Sequence, residues 1–420
     1  MNGPAQTTPV TIGGREQLFD LLAEASEIEH TLMCSYLFAA FSLRRGPDSG
    51  LSTEEAHAVE AWRSAIISIA VEEMVHLMLV ANLSIALGGR PHFARPNFPV
   101  EPGYFPAGVV VKLTRFSPET LDHFIFLERP KGSRLPDAEG FEPETPYVRE
   151  EAFDGLTPSI QDYATVGGLY NALRANLIAS ARRLGEGDLF LGPVTAQVGT
   201  EAVDLPGVAT VDGLASALQV VDTIVEQGEG SPSDRDDSHY ERFRGIRAEY
   251  RKLRDLNPSF DPAWPVAESP VMRRPPSPEG KTFVDAPDAA RVLDLANAVY
   301  ALLLQLIVQA FGRTGGRPVA GQARTLDAAI GLMHALAAIS DRLVRLPASA
   351  SAPGVNAGVS FTMVRSVEAV FLGGIEERLI LERLTELATG ARSALAVDPG
   401  LADVAQAIEK VADAYQAGTA

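Results

Sequence analysis

Residues 66–87 read IISIAVEEMVHLMLVANLSIAL, and this stretch decides the fold. Helical spacing places one stripe of side chains on the same face: Trp62, Ile66, Ile69, Glu73, His76, Val80, Leu83 and Leu87. The stripe is apolar except for Glu73 and His76, which are three positions apart and therefore leave the helix on the same side. Burying an unpaired carboxylate is costly, so another group must compensate it. A Glu-x-x-His pair in a helical seam is typical of inward-facing metal sites in four-helix bundles.

The composition is that of a chain with a large core and excess negative charge. It has 420 residues, of which 46% are hydrophobic, and a formal net charge of -18. No dense block of Lys and Arg is present, which argues against nucleic acid or an anionic membrane as the main partner. The one cysteine, Cys34, excludes an internal disulfide framework, and residues 1–14 lack the features of a signal peptide. We expect a cytoplasmic protein that acts on a small-molecule substrate, and the sequence leaves a homo-oligomer open.

Apolar periodicity predicts an all-α protein with three parts. A metal-binding helical bundle is predicted over residues 1–257, with helices at 15–43, 52–87, 165–184, 211–229 and 237–256. Prolines interrupt it at about residues 90–160, where we predict a loop insertion with a short strand at 108–113 and a short helix at 118–128. Residues 258–287 are Pro-rich and predict a linker or an extended wrap. Residues 288–420 predict a second helical bundle, with helices at 288–311, 322–346, 361–387 and 401–417.

Acidic and histidine side chains interrupt the apolar faces of several predicted helices of the first bundle. The candidate metal ligands are Glu29, Glu73, His76, Glu226 and His239, with Glu229 beside them. Carboxylate oxygen and imidazole nitrogen suit iron, manganese or zinc. Several carboxylates in one core favour a dinuclear iron or manganese site, because two divalent cations would balance their charge.

Each candidate also has a structural alternative. Glu73 and His76 could form a buried ion pair without metal, and Glu29 could be a half-exposed helix residue. Glu226 could belong to a solvated helix end, since glycines follow closely, and His239 could be a core histidine. His30 and Glu72 are candidates for orienting the ligands. Cys34 and Tyr36 could face the same cavity as Glu29, but the sequence favours a core role for both.

The segments EIEHTLMCSYLFAAFSL (27–43), IAVEEMVHLMLVANLSIALGGRP (69–91), IVEQGEG (224–230) and SHYERF (238–243) carry a resemblance to a known family. Together they resemble the ferritin-like domain family found with iminophenyl-pyruvate dimer synthases of bis-indole pigment pathways. The resemblance covers roughly residues 15–255 and implies a ferritin-like bundle with a metal centre. Its metal positions would fall on Glu29, Glu73, His76, Glu226 and His239.

The chain departs from the usual ferritin-like ligand pattern in two places. The helix predicted at 165–184 contains no acid, and the next helix offers Glu-x-x-Glu in place of Glu-x-x-His. The sequence therefore leaves the number of metal ions open. The synthases of those pathways are larger or differently built, so the resemblance does not imply their reaction for this chain.

These observations predict a non-haem metal-dependent oxidoreductase. We expect a di-iron centre, with manganese as the alternative, that activates oxygen or peroxide on a small organic metabolite, aromatic or derived from an amino acid. Two other classes stay open. One is metal handling, either iron oxidation and storage or peroxide disproportionation as in manganese catalases, and the other is a non-catalytic helical scaffold. The sequence identifies no catalytic residue and no motif for an organic cofactor.

Overall fold

The computed structural model describes residues 14–46, 49–100, 109–141, 158, 163, 165–228, 237–274, 280–311, 319–368, 371–372 and 375–418. Two long helices, α1 (Arg15–Ser42) and α2 (Thr53–Ala86), pack along each other and form the centre of the first bundle. They run in opposite directions, since Arg15 at the start of α1 donates a hydrogen bond to the carbonyl of Leu87 after α2. A capping box of Ser52 and Glu55 begins α2, and its backbone leaves the helical path at Gly88, where φ is +90°.

Five shorter helices follow in the first bundle: α3 (Pro118–Leu127), α4 (Val166–Leu184), α5 (Glu186–Leu189), α6 (Leu214–Gly228) and α7 (His239–Leu256). Helix α4 packs on α6, and α3 packs on α7. Both α6 and α7 also contact α2, and α4 contacts α1. The end of α3, the end of α6 and the start of α7 meet the central pair near its buried acidic residues, and these three helix ends position the site.

The last third of the chain is a second group of helices. After two short parallel strands, β1 (Pro270–Val271) and β2 (Thr282–Phe283), come α8 (Pro287–Phe311), α9 (Val319–Leu343), α10 (Glu376–Ser393) and α11 (Leu401–Ala417). Helix α9 packs on α8 and α11, and α10 packs on α11 and α8. This arrangement confirms the predicted all-α class with a second helical bundle. The domain boundaries at 257 and 288 stay a prediction, and one continuous hydrophobic core runs through both bundles.

Three local predictions need comment. The segment between the bundles is an extended wrap: the backbone N–H groups of Trp264, Ala267 and Ser269 donate to carbonyls of three distant segments. The strand predicted at 108–113 is reduced to an isolated bridge between Val100 and Val111 within the described residues. The helix predicted at 361–387 was placed too early, because α10 begins at Glu376.

Helices α2 and α8 are long and apolar enough to cross a membrane by length and composition alone. Their most apolar windows are 61% and 78% buried inside the protein. Both are therefore core helices of the two bundles.

Candidate metal centre

Helices α1 and α2 bring two acidic side chains and a histidine together inside the first bundle. Glu29 leaves α1, Glu73 and His76 leave α2, and all three are buried. Nδ1 of His76 lies 3.3 Å from Oε2 of Glu29 and 3.0 Å from Oε2 of Glu73. Three of the predicted ligands thus form one buried cluster.

A second cluster forms around the other carboxylate oxygen of Glu73. Oε1 of Glu73 lies 2.9 Å from Nδ1 of His239, and Oε1 of Glu128 lies 3.7 Å from the same nitrogen. His239 is the first residue of α7, whose start is fixed by a hydrogen bond from the Glu241 backbone N–H to the Ser238 side chain. Glu128 directly follows the last residue of α3. The second cluster therefore contains His239, which the sequence predicts as a ligand, and Glu128, which the sequence does not predict.

Glu73 belongs to both clusters, and each cluster contains one further glutamate and one histidine. One half contains Glu29 and His76, and the other half contains Glu128 and His239. In each cluster, one ligand atom from each of the three residues lies within 4.8 Å of the others. The two imidazole rings have centroids 5.6 Å apart and planes 30° apart. A carboxylate shared between two Glu–His sets is an arrangement that suits two metal ions.

The outer nitrogen of each histidine has a partner that orients the ring. Nε2 of His76 lies 2.8 Å from the side-chain oxygen of Gln227, and Nε2 of His239 lies 3.1 Å from Oε2 of Glu72. Arg242 donates to the other oxygen of Glu72 at 2.7 Å. Burial alone would raise the pKa of Glu72, but the hydrogen bonds from His239 and Arg242 lower this pKa to about 2. Both rings therefore direct Nδ1 toward the carboxylates, as metal-binding histidines do.

Two buried tyrosines hold the outer carboxylates in place. Tyr170 of α4 donates its hydroxyl hydrogen to Oε1 of Glu29, and Tyr36 of α1 donates to Oε1 of Glu128. Burial, reinforced by the adjacent carboxylates, raises the pKa of each phenol well above its usual value. Both tyrosines are therefore neutral donors at neutral pH, and each fixes one carboxylate without adding charge.

In the metal-free protein, protons compensate the carboxylates. Burial and the neighbouring charge of Glu73 raise the pKa of Glu29 to about 7. Burial alone would lower the pKa of His76, but its hydrogen bonds with Glu29 and Glu73 raise this pKa to about 10. Burial also opposes protonation of His239, yet the charge of Glu73 and its other acidic neighbours raise the pKa of His239 well above its usual value. Metal ions would take the place of these protons on binding.

The side chains present fit a metal ion. Nδ1 of His239 makes no hydrogen bond within the described part of the chain, although Oε1 of Glu73 lies 2.9 Å away. This nitrogen faces the Glu73 carboxylate without a well-aligned hydrogen bond, and a metal ion that displaced its proton would bind the lone pair. Carboxylate oxygen with imidazole nitrogen is a donor set that binds transition metals. The two clusters therefore form a candidate metal site.

A small cavity opens beside the centre. Its free volume is about 20 Å³, which is room for about one water molecule. Besides the acidic cluster, it is lined by α4 and α6, through Val166, Gly167, Tyr170, Ile224, Val225 and Gly228. A Cβ atom on Gly228 would come within 3.3 Å of Oε2 of Glu128, so glycine leaves space at this point. Among the described residues, the cavity has room for a small molecule such as water but not for an aromatic ring.

One predicted ligand lies elsewhere. Glu226 has an exposed side chain and belongs to neither cluster, whereas the next residue, Gln227, contacts His76. One step along a helix turns the side chain by roughly 100°, so a small error in the assumed helical face explains the exchange. Glu229 lies outside the described residues. A metal-ligating role for Glu226 stays a prediction.

Of the two residues predicted to orient the ligands, Glu72 contacts a ligand and His30 does not. Glu72 orients His239, as the sequence predicts for a ligand-orienting residue. His30 has different partners: its Nδ1 lies 2.8 Å from the carbonyl of Phe93 and its Nε2 lies 2.5 Å from the hydroxyl of Tyr300. His30 therefore connects α1 to α8 in the second bundle.

Glu128 was the ligand candidate that sequence reasoning missed. It follows a short helix of the insertion and interrupts no apolar stripe, so periodicity does not identify it. A weak signal was available, because an acid at the C-terminal end of a helix opposes the helix dipole. A carboxylate in that unfavourable position indicates another interaction partner, and in the structure this is the Tyr36 hydroxyl.

The family is established by comparison with known proteins. The family model described as Ferritin-like matches residues 22–248, more than half of the 420 residues. The chain therefore belongs to the ferritin-like family, which defines the class of protein that carries this site. Among solved structures, a ferritin-like protein from Caulobacter vibrioides is similar, with a TM-score of 0.45 and 20% identity. The match covers 79% of this chain and 96% of that one.

Two curated relatives are, by name, a synthase and a dimerase. The chain is 28% identical to the dichlorochromopyrrolate synthase of Lentzea aerocolonigenes, and the match covers 93% of this chain and 40% of the synthase. It is 26% identical to the 2-imino-3-(indol-3-yl)propanoate dimerase of Chromobacterium violaceum, over 83% of this chain and 34% of the dimerase. The chain thus spans less than half the length of either relative.

Proposed function

We propose that this protein is a metal-dependent oxidoreductase with a dinuclear centre, iron first and manganese as the alternative. The observation that carries the proposal is the carboxylate of Glu73, which faces a Glu–His pair on each side. Two redox-active ions bound there would supply electron transfer that side chains alone do not provide. The assignment of iron rests on the carboxylate-rich donor set with two imidazoles, which suits iron and manganese.

The chain's own residues prepare the site for this role. Glu29, Glu73 and Glu128 supply negative charge, and Tyr170 and Tyr36 fix two of these carboxylates by hydrogen bonds. The surrounding helices shield these side chains from bulk water, since all the cluster residues are buried. Such enclosure limits side reactions and strengthens electrostatic interactions within the site.

The substrate class comes from the relatives. The dimerase is named for an imino acid that carries an indole ring, so we propose an aromatic metabolite derived from an amino acid. An indole does not fit the described cavity, so the aromatic ring would bind outside it, beside the apolar α4 and α6 residues. Dioxygen or peroxide would occupy the small cavity and accept the substrate's electrons.

The experiment combines iron loading with substrate oxidation. Protein loaded anaerobically with Fe(II) is exposed to oxygen in the presence of imino acids made from aromatic amino acids, and oxygen uptake and products are followed. We expect substrate-dependent oxygen uptake that Glu73→Gln abolishes. His334→Ala, on the exposed side of α9, is the matched control and should keep full activity. Oxygen uptake that is independent of substrate and of Glu73 would contradict the proposal.

Peroxide disproportionation is a second candidate, and the size of the cavity favours it. A free volume of about 20 Å³ accommodates hydrogen peroxide far better than an organic molecule. If this is the function, the manganese-loaded protein should release oxygen from peroxide without an organic substrate. Oxygen uptake by the iron-loaded protein with an aromatic substrate would support the first candidate, and oxygen release from peroxide alone would support the second.

A further inference from the structure

We propose that the two halves of the centre bind metal unequally: Glu128 and His239 bind the first ion, and Glu29 and His76 bind a second, weaker and more accessible one. This inference rests on the proposed function, because it concerns the same centre. It assigns Glu72 and Gln227 as the positioning residues that make the halves differ.

The first difference lies behind the two imidazole rings. Nε2 of His239 hydrogen-bonds to the carboxylate of Glu72 at 3.1 Å, whereas Nε2 of His76 hydrogen-bonds to the neutral amide of Gln227 at 2.8 Å. A carboxylate that accepts the outer N–H makes an imidazole a stronger donor than an amide does. Arg242 donates a hydrogen bond to Oε1 of Glu72 at 2.7 Å and fixes this carboxylate. Glu72 in turn fixes the orientation of the His239 ring. His239 is therefore the stronger of the two imidazole ligands.

The second difference lies at the inner nitrogens. Nδ1 of His76 has hydrogen bonds with the carboxylates of Glu29 and Glu73, and an ion entering this half must replace both. Nδ1 of His239 lies 2.9 Å from Oε1 of Glu73 in an ion pair without hydrogen-bond geometry, so an ion entering this half replaces an ion pair but no well-aligned hydrogen bond. The two halves therefore differ in the hydrogen bonds that a metal ion must replace.

The third difference is access. Of the two histidines, His76 is the one that lines the small cavity. On the other side, Tyr36, which holds Glu128, packs against Phe124 and Phe243 at ring-centroid distances of 4.6 and 5.0 Å. An ion beside His76 thus borders the cavity through its imidazole ligand, whereas an ion beside His239 borders it only through the carboxylates of Glu73 and Glu128.

Stepwise metal binding tests this inference. Metal-free protein is titrated with Mn(II) under anaerobic conditions, and free Mn(II) is measured at each step. We expect two phases in the wild type, with dissociation constants that differ by about tenfold or more. Glu72→Gln should weaken the tighter phase by about 10–100-fold and leave the weaker phase in place. Gln227→Glu should strengthen the weaker phase, which a purely structural role for Gln227 would not do.

Two controls separate an effect on metal binding from an effect on folding. The Glu72 side chain is 27% exposed, so its replacement by Gln at the edge of the site is compatible with folding, which circular dichroism verifies. Glu241→Gln, on the same helix as His239 and paired on the surface with Arg244, should leave both phases unchanged. Two equal phases in the wild type, or a Glu72→Gln variant that weakens only the weaker phase, would overturn this inference alone. A wild type that binds neither manganese nor iron would overturn the proposed function and this inference with it.

Discussion

At the scale of single residues, the centre depends on the two oxygens of one carboxylate. Oε2 of Glu73 faces His76 and Oε1 faces His239, so the charge of one side chain stabilises both imidazoles. Without metal, this charge holds two protonated histidines, and with metal it would be shared by two ions. No other described residue belongs to both clusters.

A substitution of Glu73 should therefore affect both halves together. Glu73→Gln keeps the side-chain shape but removes the charge and one acceptor, so we expect metal affinity to fall about tenfold or more at both positions. Metal content after reconstitution and dialysis measures the effect, with His334→Ala as the control. A Glu73→Gln protein that retains the full wild-type metal content would exclude Glu73 as a shared ligand.

Glu128 and Glu226 can be distinguished by matched substitutions. Glu128 lies in a cluster and is buried, whereas Glu226 has an exposed side chain. We expect Glu128→Gln to lose about one ion per chain and Glu226→Gln to keep the wild-type metal content. The opposite result, with metal lost in Glu226→Gln and kept in Glu128→Gln, would support the sequence prediction over the geometry described here.

At the scale of the elements, helix ends bring the ligands together. His239 begins α7, and Glu128 follows the end of α3, while the long central pair supplies Glu29, Glu73 and His76. The central pair makes the centre rigid, and the two shorter helices complete it. The position of His239 is therefore sensitive to how α7 begins.

The cap of α7 provides a test of this dependence. Ser238→Ala removes the acceptor for the Glu241 backbone N–H, which should reduce the free energy of unfolding by about 1 kcal/mol and weaken metal binding. Ser52→Ala removes the equivalent cap of α2, far along the helix from Glu73, and should cost a similar amount without changing metal affinity. Urea unfolding of the metal-free proteins and Mn(II) titration measure the two effects. Equal metal affinity in the two variants would show that the start of α7 does not position His239.

The regular helices could be predicted from sequence because their apolar stripes are long. The bounds of α1, α2, α4, α8 and α11 agree with the predicted ones within a few residues. The predicted helix before α10 fails because residues 361–364 are mostly apolar, but two of their backbone N–H groups donate to distant side chains. The N–H of Thr362 donates to Oδ1 of Asn297 and that of Met363 to Oδ1 of Asn97, interactions that helical spacing does not reveal.

The ligands were predictable where they interrupt such a stripe. Glu29, Glu73 and His76 were found in this way, whereas Glu128 follows a short helix and depends on how the insertion folds back. Its contact with Tyr36 joins residues 92 positions apart, and no local pattern encodes that distance. Gln227 carries no charge and was therefore not considered beside Glu226.

At the scale of the whole molecule, metal and protons compete for the same buried groups. In the metal-free protein, the pKa of Glu29 is raised to about 7 and that of His76 to about 10. A group with a raised pKa in the folded state stabilises the fold when protonated, and this contribution is lost as pH rises through the folded-state pKa. The two groups therefore favour the metal-free fold at low pH, and their contribution falls between about pH 4.5 and pH 10.

We expect the metal-free protein to lose stability on going from pH 6 to pH 9. Loaded protein should show a smaller loss, because bound ions compensate the carboxylates at either pH. Denaturant unfolding at the two pH values, with and without chelator, measures the difference. His76→Ala lacks one of the groups with a raised pKa and should reduce the pH dependence of the metal-free form. If the wild-type metal-free protein is equally stable at both pH values, the protons assigned to this centre are not bound there.

The two bundles are connected close to the ligands. His30, the neighbour of Glu29 in sequence, contacts Tyr300 of α8, and buried Arg95 donates to the same hydroxyl at 3.1 Å. Arg95 also donates to the carbonyl of Phe361 in the second bundle. The second bundle therefore supports the helix that carries Glu29, through a buried polar junction.

The central claim is that two metal ions bind on either side of Glu73, and anomalous diffraction from crystals of the iron-loaded protein tests it most directly. Data collected at the iron absorption edge should give two peaks per chain, one among Glu29, Glu73 and His76 and the other among Glu73, Glu128 and His239. Crystals of the loaded Glu73→Gln variant should show both peaks weakened or lost. A single peak, peaks near Glu226, or no peak between the two histidines in fully loaded wild-type crystals would contradict the account.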